Sequence, residues 1–164
     1  MSFLHLSVAD SITSDALPKQ VDMVTALHAC DTATDDAIQF ALAKNAKYVV
    51  LVPCCQAEVA SHLRANKASR LSSPLAEIFR HPIHTREFGS HLTNVLRCLL
   101  LESYGYQVTV TELTGLEHSM KNELIIAHKI EKRRPRAVER LHALLTEFGL
   151  DELNSRFNTE LQIN

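Results

Sequence analysis

Three clusters of reactive or polar side chains stand out in this sequence. The first is His28, Cys30, Asp31 and Asp35; the second is Pro53, Cys54, Cys55 and Gln56; the third is Glu117, His118, Lys121 and Asn122. The first two clusters each follow an apolar, β-branched run typical of a buried parallel strand. Because neighbouring parallel strands end at one edge of a sheet, we expect these two clusters to share that edge. The third falls in a turn between two later strands, so the three together predict a pocket.

Two kinds of chemistry are open to these residues. A cysteine nucleophile would need a base beside it, and His28 or His118 would serve. A metal site is the alternative, because His28, Cys30, Cys54, Cys55 and His118 are soft or borderline ligands. Their spacings match neither a C-x-x-C nor an H-x-x-x-H pattern, however, and adjacent cysteines chelate tetrahedral zinc awkwardly. We therefore predict no metal.

Each cluster also has a structural interpretation. Cys54 and Cys55 directly follow a buried strand and would pack there as small hydrophobic residues, as would Cys98 on the apolar side of a helix. His28 would be a core histidine, and Asp35 would do no more than cap a helix.

The elements that must position these clusters follow from hydrophobic periodicity and from turn residues. The predicted strands are 2–8, 21–27, 47–52, 106–113 and 122–128. The predicted helices begin at Thr34 or Asp35, at Gln56, at Gly89 and at Ala137, with a turn of helix at 75–80. The tail from Asp151 onward is polar and is predicted to fray. The strand–helix alternation predicts an α/β fold with a mostly parallel sheet, and the short link before Asn122 predicts a C-terminal antiparallel pair.

Composition narrows the class of protein. The 164 residues suit one domain, which we place at 1–130, followed by a basic segment, an amphipathic helix and a polar tail at 131–164. With 46% hydrophobic residues and a net charge of -2, the chain gives no general argument for nucleic acid. The basic run at 129–136 leaves RNA as a weak alternative partner.

No apolar run approaches the ~20 residues of a membrane span, so no membrane partner is expected. Four cysteines without a disulfide pattern, and no signal peptide, indicate a reducing, cytoplasmic setting.

Three ordered motifs carry a family resemblance. They are LHACDTATD at 27–35, VPCC at 52–55 and EHSMKN at 117–122. Together they resemble the C-terminal half of a class I S-adenosylmethionine-dependent methyltransferase, over residues 1 to 128. The resemblance implies a three-layer, Rossmann-like methyltransferase fold with S-adenosylmethionine as the cofactor. It also implies methyl transfer to an acceptor that the enzyme holds in line with the sulfonium.

The resemblance also implies roles for the matching residues. Leu27, His28, Ala29 and Cys30 would border the methionine end of the cofactor, and Asp31 and Asp35 would be catalytic. The substrate-binding residues would be Pro53, Cys54, Cys55, His118, Lys121 and Asn122.

The sequence departs from this family in one respect. Such folds bind the cofactor on a Gly-rich turn after the first strand, and this chain contains no G-x-G. The fold is therefore expected to be truncated and inactive alone, with strand 21–27 at an exposed sheet edge. The partner would be a missing N-terminal half or, through the edge strand, a second copy. The alternative function is a non-catalytic interaction module that pairs through this edge.

Overall fold

A computed structural model describes residues 3–54, 56–65, 74–114, 122–130, 132 and 134–158. The helices and strands follow in the order α1 (Val8–Thr13), β1 (Met23–Leu27), α2 (Thr32–Ala43), β2 (Tyr48–Val52), α3 (Glu58–Ala65), α4 (Pro82–Ser103), β3 (Tyr106–Glu112), β4 (Glu123–Lys129) and α5 (Pro135–Glu147). Two short 3-10 helices lie at Pro74–Phe79 and Asp151–Leu153. In the described part of the chain, no helix is both long enough and apolar enough to cross a membrane.

The four strands form one mixed sheet in the order β1-β2-β4-β3. β1 and β2 run parallel, with Leu27 opposite Val52. β4 lies antiparallel to both β2 and β3, so the predicted antiparallel pair at the end of the chain is confirmed. The prediction of a mostly parallel sheet is wrong, because the last strand inserts beside β2 and makes two of the three pairings antiparallel. The α/β class is correct.

The hydrophobic core lies against one face of the sheet. Val24, Val49 and Ile125 point toward it and are buried. On the opposite face, Met23 and Tyr48 are 54% and 41% exposed. Because side chains alternate along a strand, the described residues cover one face of the sheet and leave the other open. The third layer of the predicted fold remains a prediction.

The first predicted strand, 2–8, is wrong. Residues 3–7 are not in a strand, and Ser7 instead starts α1 as its N-cap, its hydroxyl accepting from the Asp10 N–H at 3.1 Å. Alternating side chains are not enough for a strand, since the backbone must also find a neighbouring strand to bond. In the described chain the outer edge of β1 has no strand partner, which confirms the predicted edge position of β1.

Three helices begin earlier than predicted, and one of them, α5, begins at Pro135 rather than at Ala137. α2 begins at Thr32 with Asp31 at the N-cap, and the Thr34 and Asp35 side chains bond the Ala29 carbonyl and Arg97 instead of capping the helix. α4 begins at Pro82 rather than at Gly89, since proline is favoured in the first turn of a helix.

The C-terminal tail is packed as far as residue 158, which corrects the prediction that it frays from Asp151. Leu153 and Phe157 are 5% and 2% exposed and join the same core as Leu141 of α5. Apolar residues before and after the proposed boundary at residue 130 thus share one core.

Candidate functional site

The loop after β1 turns sharply through two non-glycine residues with left-handed backbone angles. His28 has φ 55° and Asp31 has φ 48°. The His28 N–H donates to the Val52 carbonyl at 3.3 Å, and the Thr34 hydroxyl donates to the Ala29 carbonyl at 2.6 Å. Such angles are costly for residues with a Cβ and persist only where the surroundings enforce them. The loop is therefore held in a defined shape at the end of the parallel pair.

Asp31 links this loop to α3. Its Oδ1 accepts hydrogen bonds from the backbone N–H groups of Ala57 and Glu58, at 3.1 and 3.3 Å. These are N–H groups at the start of a helix, which have no partner within the helix itself. The negative charge also faces the positive end of the helix dipole. Asp31 thus anchors the start of α3 to the end of β1.

Asp35 lies in a buried ion pair with Arg97 of α4. Arg97 donates from Nε to Oδ1 at 2.7 Å and from Nη2 to Oδ2 at 2.9 Å. The two side chains are 7% and 0% exposed. Arg97 Nη2 also donates to the Asp31 carbonyl at 2.8 Å. Both predicted catalytic carboxylates therefore hold structural partners, and Asp35 does not cap α2.

A chain of buried polar side chains leads from this ion pair toward the surface. Asn94 Oδ1 accepts from Arg97 at 3.1 Å and from Gln56 at 3.2 Å. Gln56 in turn accepts from the Ser90 hydroxyl at 2.5 Å. Asn94 donates from Nδ2 to the Glu123 carboxylate at 2.9 Å. Because each buried amide is paired, the network connects α4 to the loop after β2 and to β4 without leaving a buried polar group unsatisfied.

This network ends at a cleft of about 430 Å³ beside the carboxyl end of β2. The volume is within the range of small-molecule sites. Three predicted substrate-binding residues, Pro53, Cys54 and Asn122, line it. The other lining residues are mostly polar or acidic: Gln56, Glu87, Ser90, His91, Asn94, Val110, Thr111, Glu112 and Glu123.

The four predicted cofactor-binding residues lie outside that cleft, at the end of β1. Leu27 is 62% exposed, His28 and Cys30 are exposed, and Ala29 is half-buried. The exposure of His28 excludes its interpretation as a core histidine. The two loops meet where Cys30 Sγ lies 3.3 Å from Cys54 Sγ. The structure thus brings the first two clusters together, as the ends of neighbouring parallel strands require.

Part of the predicted site falls outside the described residues. Cys55, His118 and Lys121 are in this group. Asn122 is described and is buried, with its side chain donating to the Thr114 carbonyl. Its own carbonyl accepts from the Leu113 N–H at 2.7 Å. Asn122 thus holds the two ends of the link between β3 and β4 together.

Two sequence alternatives can be compared with the described residues. Among them, no three His, Cys, Asp or Glu side chains come close enough to hold a metal ion. Burial raises the pKa of the Cys98 thiol to about 12, with Glu123 and Glu102 adding to the shift. Cys98 is therefore a protonated thiol at neutral pH, consistent with its predicted structural role.

Sequence reasoning named Gln56 in the second cluster but missed Ser90, Asn94 and Arg97 as members of this network. A signal was present, because Asn94 and Arg97 interrupt an apolar run in α4 and lie three residues apart on one helix face. A charge in such a run needs a buried counter-charge, and Asp35 supplies it. Sequence spacing cannot show that pairing across the 62 residues that separate them.

Comparison with protein families finds a similarity in the N-terminal part of the chain. A family model described as a methyltransferase domain matches residues 1–62. The matched segment contains α1, β1, α2 and β2, with both loops of the thiol contact. Searches of curated proteins and of solved structures give no significant match. The match supports a methyltransferase domain in this part of the chain.

Proposed function

We propose that this chain is an S-adenosylmethionine-dependent methyltransferase-family protein whose site lies where β1 and β2 end. One observation carries the proposal: the methyltransferase-domain match at residues 1–62 contains both loops that meet at Cys30 and Cys54. The cofactor, when bound, supplies a methyl group on a sulfonium. The acceptor would occupy the adjacent cleft lined by Pro53, Cys54 and Asn122.

In this proposal the protein contributes position rather than acid–base chemistry. Methyl transfer from a sulfonium needs an aligned acceptor more than it needs a proton shuttle. Asp31 and Asp35 serve this need as positioning residues, because their carboxylates hold α3 and α4 against the loop after β1. Leu27 to Cys30 would contact the methionine end of the cofactor, and His118, Lys121 and Cys55 would complete the acceptor side.

The described residues fit only part of the cofactor. The loop after β1 forms one wall, but no described strand pairs with the outer edge of β1. The sequence also contains no G-x-G turn to receive the rest of the molecule. We therefore expect this chain alone to bind S-adenosylmethionine weakly and to transfer no methyl group. A segment carrying a Gly-rich turn would have to complete the site.

Calorimetry with S-adenosylmethionine and S-adenosylhomocysteine tests this proposal. We expect weak, saturable heat with a dissociation constant of about 1 mM or more. Leu27→Arg, at the exposed end of β1, should abolish the heat. Met23→Arg, at the other end of the same strand and 54% exposed against 62% for Leu27, is the matched control and should keep it. No heat from the unsubstituted chain, or equal heat from both variants, would contradict cofactor binding at this loop.

A second candidate function is self-association through the edge of β1, and the geometry of that edge favours it. The backbones of Asp22 and His28 bond β2, so the alternating Met23, Thr25 and Leu27 direct their N–H and C=O groups outward. A second copy is the occupant we propose, because two such edges can pair antiparallel about a two-fold axis. β3, the other edge strand, is a poorer candidate because its exposed residues are mainly polar.

Sedimentation equilibrium separates this candidate from a monomeric enzyme. Thr25→Pro removes an outward N–H without touching the β2 pairing, and should convert a dimer to a monomer. Thr25→Val keeps that N–H and is the control. A monomer for the unsubstituted chain over the whole concentration range would exclude self-association.

The structure weakens the argument that the basic run at 129–136 binds RNA. Arg140 pairs with Glu102 at 2.7 Å, and Arg134 reaches the same carboxylate at 3.7 Å. Two cations near this segment are therefore partly neutralised within the fold, so we do not propose RNA as the acceptor.

A further inference from the structure

A short sulfur–sulfur contact joins the two loops of the candidate site. Cys30 Sγ and Cys54 Sγ are 3.3 Å apart, and the Cys30 thiol also points toward the His28 carbonyl at 3.7 Å. A disulfide bond is about 2 Å long, so the two sulfur atoms need to approach by roughly 1 Å to bond. The pairing of Leu27 with Val52 in the sheet keeps the two loops in this register.

The Cys30 and Cys54 thiols differ in how far solvent can reach them. Cys30 is exposed, so a small reagent can reach its sulfur. Cys54 is half-buried and lines the cleft. Cys98, by contrast, is a half-buried thiol on α4 whose raised pKa keeps it protonated at neutral pH. Because the thiolate is the reactive form, exposure and proximity favour reaction at Cys30 and Cys54 over Cys98.

We propose that Cys30 and Cys54 form a reversible dithiol–disulfide pair, with a small-molecule disulfide as the oxidant. The Cys30 thiolate attacks one sulfur of that disulfide, which forms a mixed disulfide and releases one thiolate. The Cys54 thiolate then attacks Cys30 Sγ and releases the second thiolate. The two protein thiols lose two electrons, and the reagent gains them. The two protons from the cysteines pass through solvent to the released thiolates.

The bond would lock the ends of β1 and β2 together at the site. Cys30 is followed directly by Asp31, whose carboxylate holds the start of α3. A disulfide therefore stiffens the wall of the cleft and removes the Cys54 thiol from it. Formation of the bond does not depend on methyl transfer, so it can be tested whether or not the proposed function is correct.

Glutathione redox buffers on the full chain provide the test. Oxidation should remove two hydrogen atoms from the intact mass, and dithiothreitol should restore them. Trypsin should then release residues 20–44 linked to residues 48–64, because Cys30 and Cys54 lie in these peptides and Cys98 lies in another. A chain that stays reduced in the most oxidising buffer, or that stops at a mixed disulfide with glutathione, would overturn the proposal.

Serine variants identify the partner within peptide 48–64, which contains both Cys54 and Cys55. Cys55→Ser and Cys98→Ser should still form the link. Cys30→Ser and Cys54→Ser should lose it. A link that persists in Cys54→Ser would assign the partner to Cys55 and overturn the proposed pair. Circular dichroism on each reduced variant confirms that a lost link is not a failure to fold.

Discussion

At the residue scale, the ion pair between Asp35 and Arg97 organises the site. Arg97 reaches both oxygens of Asp35 and also the Asp31 carbonyl, so a single guanidinium holds the loop after β1 and the first turn of α2. Removing two charges from water is costly, and the pair offsets that cost only while both partners are present. The site therefore depends on residues that do not line the cleft themselves.

Removing one partner should destabilise the fold strongly. Asp35→Ala leaves the Arg97 charge buried without its counter-charge, and we expect it to lower the free energy of unfolding by about 3–5 kcal/mol. The measurement is urea denaturation followed by circular dichroism. Asp36→Ala changes the exposed neighbour on the same helix and should stay within about 0.5 kcal/mol of the unsubstituted chain. Equal small losses for the two variants would contradict a structural role for the ion pair.

Tyr106 is a second residue on which stability depends, because its buried phenol makes the free energy of unfolding sensitive to alkaline pH. Its hydroxyl is buried and donates to the Ala46 carbonyl at 2.7 Å. Burial raises the pKa of this phenol from its ordinary value of 10.0 to about 12. Between these values the unfolded chain loses the phenol proton while the folded chain keeps it. The free energy of unfolding should therefore be unaffected below pH 10 and should fall as the pH rises from 10 to 12.

Tyr106→Phe tests this dependence. The variant should be less stable at neutral pH, because the Ala46 carbonyl loses its donor, by about 1 kcal/mol. Its stability should also fall less steeply between pH 10 and 12 than that of the unsubstituted chain. Urea denaturation across this range, with Cys98→Ala in both proteins, removes the parallel contribution of the buried thiol. Identical slopes for the two proteins would exclude Tyr106 as a source of the pH dependence.

At the element scale, the close packing of α3 on α4 sets where the cleft opens. A Cβ atom at Gly89 would lie 2.7 Å from the Ala60 Cβ and 2.8 Å from its Cα and N. No real side chain tolerates such distances to backbone atoms. Gly89 is therefore required by the approach of the two helices and not by its own backbone angles. This approach places Ser90 within reach of Gln56, so the same contact builds the polar network.

Gly89→Ala should reverse the usual effect of alanine in a helix. Alanine is favoured over glycine by about 1 kcal/mol in a helix interior. Here the clash should outweigh that gain, and we expect a net loss of about 1–3 kcal/mol in the free energy of unfolding. Arg86→Ala, at an exposed position one turn earlier in α4, controls for helix propensity. A stability equal to or above that of the unsubstituted chain would show that α3 moves aside at little cost. Thermal and urea denaturation give the stability of each variant.

At the scale of the whole molecule, the C-terminal segment completes the core. Phe157 is 2% exposed, and Tyr104, the C-cap of α4, donates to the Asn158 carbonyl at 3.1 Å. The Gln39 side chain of α2 also donates to the Arg156 carbonyl at 3.2 Å. The end of the chain thus ties α2 and α4 together. Residues that follow α5 therefore pack in the same hydrophobic core as residues of the segment 1–62.

Phe157→Ala should therefore destabilise the fold as much as a large-to-small substitution in the centre of the core. We expect a loss of about 3–5 kcal/mol in the free energy of unfolding, from the buried area and the cavity left behind. Ser155→Ala, at an exposed position in the same segment, should have almost no effect. Similar stabilities for the two variants would indicate that the tail frays after all. The measurement is again urea denaturation.

Several features could be read directly from the sequence. The apolar runs before His28 and before Pro53 predicted β1 and β2 correctly, because a buried strand needs continuous apolar residues. The short link before Asn122 predicted the antiparallel pair. These features depend on residues close together in the chain, where periodicity and turn length carry the information. The motifs at 27–35 and 52–55 lie within the methyltransferase-domain match at residues 1–62, whereas the third motif, at 117–122, lies outside it.

The remaining features depended on contacts between residues far apart in the chain. Residues 2–8 alternate like a strand, but in the described structure no neighbouring strand pairs with them and Ser7 caps a helix instead. β4 inserts beside β2, which made the sheet mixed. Arg97 selects Asp35 only because α4 crosses the start of α2. By itself, then, the sequence determined most of the strands and helices, with residues 2–8 as the exception. The tertiary structure decided which side chains meet, because pairing energies depend on distances that the fold alone sets.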